Sequence, residues 1–588
     1  MLAGRGGCRG SLWTFIGAWT WILVTAGVAG CGGGGGGGGM PGDPIVVSVT
    51  PKRAGLAAGQ TLVVSATVAN DGAASGVHWI ATGGSFAVST TASGASVAYT
   101  APATGGPVVI TATSVADPSR SAALTVGVTD LPGVATYHND GARTGVNDRE
   151  FALTPALVST STFGRLFSCA ADGAIYAQPL WVPNVRVNGA TRNVVVVATQ
   201  HDSVFAFDAD TNADPCVPLW KANLLDAAHG GTPTEAPVLS ASGLVGFGYG
   251  DIAPEIGVTS TPVIDLAAKT VYVVSKSVDS ANRFFQRLHA LDLATGGEKL
   301  NGNQPMLIAA TVPGTGDAST NGVVTFDPQT QGQRAGLALF NGVVHVAFTS
   351  HEDREPYHGW IIGFDQTTLA RKTVFNVSPN GGDGSIWMSG GAPAHDGSSL
   401  YAVTSNGTYD GVTEFGDSIL RLSPADGLAV QDWFTPSDQA NLTALDLDLG
   451  SGGAVLFDVP TGPVRRLLVA GGKAGPDGLG QMYVVNRDAM GKYTPTDSGA
   501  VQTFALNALV FATPAFWNNT LYLAGVGAPL VGMRFDTTTG QFATTSPAQS
   551  AVSFGFPGTT PSISAQGTTG GIVWALDNSA YCTPGQST

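Results

Sequence analysis

A two-part phrase recurs seven times between residue 193 and the end of this 588-residue chain. An aliphatic or β-branched run is followed, after a variable loop, by a second apolar run ending in a polar residue and a turn, as in VVVVAT…VFAFDAD and VYVVSK…LHALDLATG. The polar positions that end the seven copies are Asp208, Asp292, Asp365, Ser423, Asn486, Asp536 and Asp577. Internal repetition constrains the architecture strongly, because each unit must bury its apolar faces against copies of itself.

The composition favours strands and tight turns over helices. Charged residues make up only 12% of the chain and Gly accounts for 81 of its residues, while Val, Thr and Ala are abundant. The length exceeds what one hydrophobic core accommodates, so we expect two or three domains. A formal net charge of −15 excludes nucleic acid and anionic lipid headgroups as expected partners.

Each repeat has the sequence pattern of a strand meander. Pro stands before the first strand in several copies, for example in Thr261-Pro262 and Thr513-Pro514, and Pro suits a strand start because it has no N–H for the ladder. Asp-x-x-Thr-Gly, from Asp292 to Gly296, is turn chemistry, since the carboxylate accepts backbone N–H groups and Gly adopts positive φ. Stacking such units around an axis buries them, so residues 131–588 are predicted to form an all-β propeller of seven blades, with eight as the alternative.

The repeats resemble those of pyrroloquinoline-quinone-type, or quinoprotein-like, propellers. In that family Ala-x-Asp-x-x-Thr-Gly-x-x-x-Trp docks one blade against the next; the matching residues here are Ala206, Asp208, Thr211, Trp220, Ala290, Asp292, Thr295 and Gly296. The opening TYHNDGARTGVN (136–147), with DGAIYAQPLWV and ATQHDSVFAFDAD, resembles a non-catalytic subgroup of exported bacterial proteins. The resemblance therefore implies a propeller without catalytic apparatus.

The sequence leaves the closure of the ring open. Only residues 578–588 follow the last repeat, whereas a propeller usually closes by combining strands from both chain ends in one blade. Residues 163–169 offer one closing strand, and a clipped C-terminus is the other explanation.

The N-terminus has the pattern of an export signal. Arg5 and Arg9 precede an apolar stretch over residues 11–27, and small residues then lead to Cys31. The sequence Val-Ala-Gly-Cys resembles a bacterial lipobox, which implies cleavage before Cys31 and lipidation of its thiol. Residues 1–30 are thus predicted to be a signal peptide, and residues 31–44 a lipidated Cys with an oligoglycine tether. Gly32 after the Cys resembles diderm lipoproteins of the outer membrane; an uncleaved anchor is the alternative.

Residues 45–130 form a separate all-β segment by pattern. Short alternating runs such as TLVVSATV, VHWIAT and VVITATS follow one another at the spacing of a sandwich, with Trp79 as the expected central aromatic. The segment resembles bacterial Ig-like domains of exported surface proteins, in which such modules serve as spacers or, alternatively, as adhesive units.

The residues expected of a quinoprotein enzyme are not recognisable. By family resemblance these are a disulfide between adjacent cysteines, a calcium site of Glu, Asn and Asp, an Asp base and an Arg on the quinone, and the chain has no Cys-Cys pair. No cofactor is therefore predicted, with pyrroloquinoline quinone or Ca²⁺ as the alternative. His201, Asp202 and Ser203 are contiguous in the chain, and contiguous residues do not form a Ser-His-Asp catalytic relay. The acidic turn at Asp446 and Asp448 is predicted to make hydrogen bonds between blades rather than to bind calcium.

One polar loop is a candidate metal site. A hairpin over residues 350–360 would bring His351 and His358 together with Asp353, and two imidazoles plus a carboxylate suit a transition metal. The alternative is a solvated loop without a ligand. His78, His289 and His395 stand alone and are predicted to be structural.

Two cysteines are candidates for a disulfide. Cys169 and Cys216 both lie in the region of the first repeat, and an exported protein allows them to pair. Two free thiols are the alternative.

The sequence favours an exported binding or scaffold module of the cell envelope. A lipid is expected to attach it to a membrane, with the outer membrane favoured. Its expected partner is an envelope protein or a glycan. The rival hypothesis is an enzyme, either a degenerate quinone-dependent oxidoreductase or a metal-dependent enzyme using the 351–358 loop. A third is envelope assembly, as in lipoprotein propellers that scaffold porin insertion. Loops on a rigid β frame carry function in all three.

Overall fold

The computed structural model describes residues 43–51, 55–211, 213, 215–247, 250–475 and 478–578. The predicted signal peptide, Cys31 and the oligoglycine tether lie outside the described residues. The described residues form two compact units. The smaller unit consists of residues 43–51, Thr61–Ala101 and Val108–Val126. The larger unit consists of Gly55–Gln60, Pro102–Pro107 and the described residues from Gly127 onward. No described helix is long and apolar enough to cross a membrane.

The smaller unit is built from two sheets. In sheet order, the strands of the first are Val46–Thr50, Thr61–Ala69, Ser96–Thr100 and Ser85–Phe86, and those of the second are Ser121–Thr129, Gly106–Ser114, Val77–Ala81 and Thr90–Thr91; strand Gly55–Ala57 belongs to the larger unit. Alternate side chains are buried, among them Val64, Trp79 and Tyr99. The alternation shows one buried face per sheet, and the Ig-like assignment of this segment stays a prediction.

The larger unit holds seven successive antiparallel sheets among the described residues, which we number as blades 1 to 7. From the inner to the outer strand they are Leu180–Val187, Ala190–Ala198, Ser203–Asp208 and Trp220–Asn223 (blade 1); Val263–Asp265, Thr270–Val278, Phe284–Asp292 and Met306–Leu307 (blade 2); Ala338–Phe340, Val343–Ser350, Trp360–Asp365 and Arg371–Asn376 (blade 3); Ala394–His395, Leu400–Val403, Ile419–Ser423 and Ala429–Thr435 (blade 4); Val455–Asp458, Arg466–Gly471, Gln481–Asn486 and Gln502–Ala505 (blade 5); Ala515–Trp517, Thr520–Leu523, Ala528–Asp536 and, beside the last, Gln541–Phe542 and Ala548–Phe554 (blade 6); Ser562–Gln566 and Thr569–Trp574 (blade 7). The prediction of an all-β propeller is confirmed.

Shorter elements decorate the ring. Additional strands are Ala236–Leu239, Glu255–Ile256, Gln331–Gly332 and Lys492–Tyr493 at the blades, with separate pairs Thr311–Pro313 with Val323–Thr325 and Ala474–Gly475 with Gly478–Leu479. One α-helix spans Gln439–Leu445, and 3₁₀ turns span Ala227–His229, Ser240–Ser242, Met388–Gly390, Pro424–Asp426 and Leu449–Ser451. The connections before and within the blades therefore carry most of the irregular structure.

The repeats form the blades in two different registers. In the first six copies the two runs become the second and third strands, as in Ala190–Ala198 paired with Ser203–Asp208. In the seventh copy the runs become the inner and second strands, Ser562–Gln566 and Thr569–Trp574. The Pro before Ser562–Gln566 marks this register, because in blades 2, 4 and 6 a Pro likewise precedes the inner strand.

The hydrophobic core lies between the blades. In strand Thr270–Val278 of blade 2, Val271 and Val273 pack towards blade 1 whereas Tyr272 and Val274 pack towards blade 3. Successive side chains of a strand point to opposite faces, and both faces are covered here. This explains why the middle strands are continuous apolar runs and why no blade is stable alone.

The Asp residues of the repeats cap their turns as predicted. Asp365 accepts hydrogen bonds from the backbone N–H groups of Thr367 and Thr368 at 2.9 and 3.0 Å. Trp220 of blade 1 docks on the equivalent turn of blade 2, where its Nε1 donates to the Leu293 carbonyl at 3.1 Å and its ring lies against Gly296. The docking implied by the family motif is therefore present at this junction.

A segment near the start of the larger unit fills the axis of the ring. Between residues 134 and 145 it exchanges backbone hydrogen bonds with the inner strands of six blades in chain order: Val134 with Trp181, Ala135 with Ile264, Gly141 with His395, Ala142 with Leu456, Thr144 with Phe516 and Gly145 with Ile563, all at 2.7–3.0 Å. Left-handed backbone at His138, Asn139 and Arg143 allows this winding. We call residues 134–145 the hub.

Arg143 holds the hub together from inside. Its side chain is fully buried, and its guanidinium donates to the carbonyls of Tyr137, Asp140 and Pro393 and to the Thr136 hydroxyl. Pro393 belongs to blade 4, so one side chain joins the hub to the ring. Because burial desolvates the guanidinium, the pKa of Arg143 is lowered to about 10, which leaves it charged at neutral pH.

The ring closes next to the hub. Val146–Asn147 pairs in parallel with Ile563 and Ser564 of the inner strand of blade 7. Residues 163–169, one of the two closures that the sequence left open, supply no strand there; Phe163 only contacts the ring of Trp574, at 5.4 Å between centroids. The hub already lies at the axis, so its own end is the nearest free backbone to blade 7.

Replacing Arg143 by Met should destabilise the larger unit by about 3 kcal/mol or more, because buried carbonyls lose their donor. Urea unfolding followed by tryptophan fluorescence measures the loss. Arg192→Met is the matched control, since Arg192 is half-exposed and pairs at the surface with Asp208; it should change stability by less than about 1 kcal/mol. Equal effects of the two substitutions would contradict the role given to the hub.

Gly296→Ala should cost about 2–3 kcal/mol of stability. A Cβ there would lie 2.5 Å from the Trp220 ring and the backbone has φ +77°. Gly302→Ala is the control, because Gly302 has φ +69° and nothing lies within 4 Å of its Cβ position; it should cost about 1 kcal/mol. The difference between the two isolates the Trp220 contact, and its absence would show that this junction is not tightly packed.

Candidate functional site

One face of the ring collects the irregular segments. In an antiparallel meander, the segment entering the inner strand and the loop joining the second and third strands lie at the same end of the blade. Arg334 and Trp387 precede the inner strands of blades 3 and 4, whereas His351 and Lys473 follow the second strands of blades 3 and 5. We call this end of the larger unit the entry face.

The hub forms the floor beneath the entry face. Tyr137 of the hub is buried and its hydroxyl donates to Thr513, just before the inner strand of blade 6, at 2.9 Å. His138 places its two ring nitrogens 2.7 Å from the Arg143 carbonyl and 2.8 Å from the Pro561 carbonyl. Tyr137 and His138 therefore occupy the axis at the entry end of blades 6 and 7.

A cleft opens on the entry face between the connection to blade 2 and the 350–360 loop of blade 3. The space that the centre of a water-sized sphere can occupy in it is about 30 Å³. Its whole empty volume, including the part open to solvent, is about 450 Å³. The apolar residues of its lining are Val245, Ile252 and Ile256. Its polar lining residues include Asp251, Gln333, Arg334, His351 and Glu352. A cavity of this kind, mostly apolar with a few convergent polar groups, is the usual form of a small-molecule site.

Arg334 lines this cleft and makes no hydrogen bond or ion pair with the described residues. Its Cζ atom is 5.1 Å from the centroid of the Trp387 ring, which is a cation–π contact. Burial lowers the pKa of the Arg334 guanidinium, and the nearby Asp251 carboxylate opposes that shift. The Trp387 indole is fixed in turn, because its Nε1 donates to the Ser405 hydroxyl at 2.7 Å.

Two buried atoms of the cleft also lack hydrogen-bond partners among the described residues. They are Nε2 of His351 and Oε1 of Gln333, and each side chain is only 6% exposed. Burial, with the positive charges of Lys276 and Arg334, holds the pKa of His351 well below its usual range, so the ring is neutral. Buried polar atoms are nearly always paired in folded proteins, so these two mark a place where a ligand or water binds.

Carboxylates crowd the mouth of the cleft and its surroundings. Desolvation by the surrounding protein and the neighbouring carboxylates raise the pKa values of Asp251 and Asp353, although both residues reach solvent, and raise that of Asp383 to about 6. Lys473 offsets part of this charge, because its ammonium lies 2.7 Å from Asp448 and 2.8 Å from Asp446. The entry face is therefore negative around the positive charge of Arg334.

The acidic turn at Asp446 and Asp448 joins two blades, as predicted. Asp446 accepts from the Asn406 side chain of blade 4 at 3.1 Å, and both carboxylates pair with Lys473 of blade 5. Asp417 lies behind this turn, where it accepts from the Leu449 N–H at 3.0 Å and the Thr443 hydroxyl at 2.9 Å.

The structure does not assemble the three residues of the candidate metal site. His351 lies in the cleft and Asp353 is exposed, with its carboxylate accepting from the Ser350 hydroxyl. His358 has both ring nitrogens near other acceptors, at 3.1 Å from the Ser378 carbonyl and 3.0 Å from the Asp317 carbonyl. Within the residues described, no group of three or more His, Cys, Asp or Glu is close enough to hold a metal ion.

Cys169 and Cys216 form a disulfide in the structure, with Cα atoms 4.7 Å apart. The bond packs against Phe205 and Phe207 of blade 1 and ties the segment before that blade to its third and outer strands. Neither cysteine lines the cleft, and the bond stabilises the fold around blade 1.

Sequence reasoning missed a Ser–His–Glu chain inside blade 2. Ser275 Oγ lies 2.8 Å from Nε2 of His289, whose Nδ1 lies 2.6 Å from the Glu298 carboxylate. All three side chains are buried, and none of them lines the cleft on the entry face. The spacing of a hydrolytic relay is therefore present without substrate access. By contrast His201 and Ser203 bond to Glu255 and Asp172, not to each other.

Large apolar side chains are exposed on the entry face. Rings follow one another outward from Trp387 to Phe511 at 6.0 Å and on to Phe556 at 5.4 Å, and Phe556 is 70% exposed. Phe247, also 70% exposed, stands beside the cleft. Exposed aromatic side chains around a pocket are typical of a recognition surface.

Comparisons with known proteins bear on the fold alone. No family model and no curated protein matches the chain. Among solved structures, BamB from Moraxella catarrhalis is 13% identical over 69% of this chain and 86% of its own, with a TM-score of 0.34. Quinohemoprotein alcohol dehydrogenase from Comamonas testosteroni is 15% identical over 76% and 66%, with a TM-score of 0.45. The europium-containing methanol dehydrogenase is 13% identical over 70% and 72%, with a TM-score of 0.41.

The propeller fold follows from the strand pairing of this chain itself. The described residues do not fit the quinone site that the resemblance implies. The disulfide joins cysteines 47 residues apart rather than adjacent ones. We therefore derive no step through such a cofactor.

Asp417→Asn should make stability less dependent on pH. Burial and the nearby Asp448 raise the pKa of Asp417 to about 8, above its value near 4 in an unfolded chain. Stability from this group is therefore full below about pH 4 and is lost as the pH rises towards 8, at up to about 1.4 kcal/mol per unit. Unfolding midpoints at pH 5 and 8 should differ less in the variant than in the wild type; equal differences would refute the assignment.

Proposed function

We propose that this protein is an exported binding module of the cell envelope, anchored by a lipid on Cys31, whose recognition surface is the entry face of the propeller. The observation that carries the proposal is the cleft on that face, which holds unpartnered polar groups, together with the exposed aromatic side chains Phe247 and Phe556 on the same face. A rigid ring that presents variable loops is suited to recognition.

Three features support binding by this face rather than by the opposite one. The entry face carries the long connections that lead into the inner strands. The opposite face carries the Asp-capped turns of the repeats. The hub fills the axis of the ring, and the cleft opens on the entry face. Exposed Phe247 and Phe556 supply the apolar anchors that dominate interface energetics.

The envelope location is inferred from the N-terminal sequence. Basic residues, an apolar stretch and Val-Ala-Gly-Cys precede the oligoglycine run, which would act as a flexible leash between the lipid and the folded units. An envelope protein or a glycan is the proposed partner, and the net charge of −15 supports neither nucleic acid nor an anionic membrane surface.

Crosslinking and affinity capture from envelope extracts test the recognition surface. Phe247→Ser with Phe556→Ser should lower partner capture at least about tenfold, because each aromatic anchor is worth on the order of 1–2 kcal/mol. The matched control is Leu307→Ser with Val552→Ser, at positions 54% and 60% exposed on outer strands. Capture that is equal for both double variants would refute the entry face as the surface.

Lipid attachment is tested separately by growth with an alkyne-bearing fatty acid. The wild-type protein should be labelled and should sediment with membranes, whereas Cys31→Ser should be unlabelled. Cys582→Ser serves as the control thiol substitution and should leave labelling unchanged. Labelling that persists in Cys31→Ser would refute the anchor.

A further inference from the structure

The cleft on the entry face contains unpartnered groups of two opposite kinds. Arg334 has five N–H donors and no acceptor, and it makes no hydrogen bond or ion pair with the described residues. Gln333 contributes an acceptor, Oε1, that has no donor, since its Nε2 already donates to the Ala335 carbonyl at 2.8 Å. His351 contributes Nε2, which is equally without a partner.

Leaving such groups buried and unpaired is costly, so the cleft is complete only with something inside it. Water can satisfy the acceptors, but a guanidinium in a partly buried site pairs best with a planar anion. The occupant must therefore present an acceptor pair to Arg334 and donors to Gln333 and His351.

The charges facing the cleft exclude a simple ion of either sign. Asp251 and Glu352 line the mouth, and a lone anion would meet both carboxylates. A lone cation would be repelled by Arg334. Lys276 lies near His351 and adds to this repulsion, although its ammonium also donates to the carbonyls of Gln329 and Gln331. A ligand with both charges matches both sets of groups.

We propose that the cleft binds a free aliphatic α-amino acid, with its carboxylate on Arg334 and its ammonium directed to the acceptors of Gln333 and His351 and to Asp251. This deepens the binding function proposed above and rests on it. The cleft has an empty volume of about 450 Å³, part of which is open to solvent, so a molecule of this size has room there. Val245, Ile252 and Ile256 line the cleft, so an aliphatic side chain finds an apolar wall there.

Three probes of one shape test the requirement for both charges. Leucine carries both, 3-methylbutylamine lacks the carboxylate and 4-methylpentanoate lacks the ammonium. Titration calorimetry with the full-length protein in detergent should show leucine binding, and each one-charge analogue should bind at least about tenfold more weakly. Equal binding of the three, or no binding of leucine, overturns the proposal.

Two substitutions assign the charges to residues. Arg334→Met should weaken leucine at least about tenfold and leave 3-methylbutylamine unchanged, because only the carboxylate loses its partner. Asp251→Asn, at an exposed position that tolerates the change, should weaken leucine and 3-methylbutylamine and not 4-methylpentanoate. Arg371→Met, on the exposed outer strand of blade 3, is the control and should leave leucine binding unchanged.

The outcome is separable from that of the proposed function. Partner capture depends on Phe247 and Phe556 outside the cleft lining, and its readout requires no amino acid. Capture that persists while leucine fails to bind overturns the ligand class alone. Leucine binding that Arg334→Met leaves unchanged, with the unfolding midpoint of the variant like that of the wild type, overturns the assignment of the site.

Discussion

The buried guanidinium of Arg143 is the interaction on which the arrangement of the blades depends. It gathers the carbonyls of the hub around one charge and reaches Pro393 of blade 4, while the backbone of the same segment bonds to the inner strands of six blades. Charge-assisted bonds inside a low-dielectric interior are strong, and a guanidinium supplies enough donors to satisfy several carbonyls at once. The spacing of the blades around the axis follows from this one segment.

The repeats made most of the ring predictable. Alternating apolar runs and Asp-capped turns required sheets packed face to face, and the Pro positions marked the inner strands. The last copy differs from the other six in register: PSISAQ and IVWALD have the same apolar pattern as the middle strands of the other blades, and only the Pro that opens PSISAQ points to an inner strand. The closing contact of Val146–Asn147 with Ser562–Gln566 agrees with that position. The Ig-like, signal and lipid assignments at the N-terminus stay predictions.

The cleft was not predictable, since its residues come from separate connections. Asp251 belongs to the entry of blade 2, Arg334 to the entry of blade 3 and Trp387 to the entry of blade 4, and no local motif links them. The polar loop containing His351 attracted attention because of its composition, but the chemistry inferred from neighbouring letters was that of a metal site. In space His351 and His358 have different neighbours, since His358 bonds to Ser378 and Asp317. Sequence proximity in a long loop says little about which side chains converge.

The hub bonds to the blades through main-chain atoms, and main-chain atoms are common to every amino acid. The inner contacts therefore place almost no demand on which side chains the blades carry, provided that the strands keep their length and their apolar faces. Copies of the repeat are free to diverge from one another, and the absence of the Thr-Gly pair from the turns of blades 3 to 5 is what such freedom produces. A family built on this plan would retain its geometry long after its members had ceased to resemble one another as text.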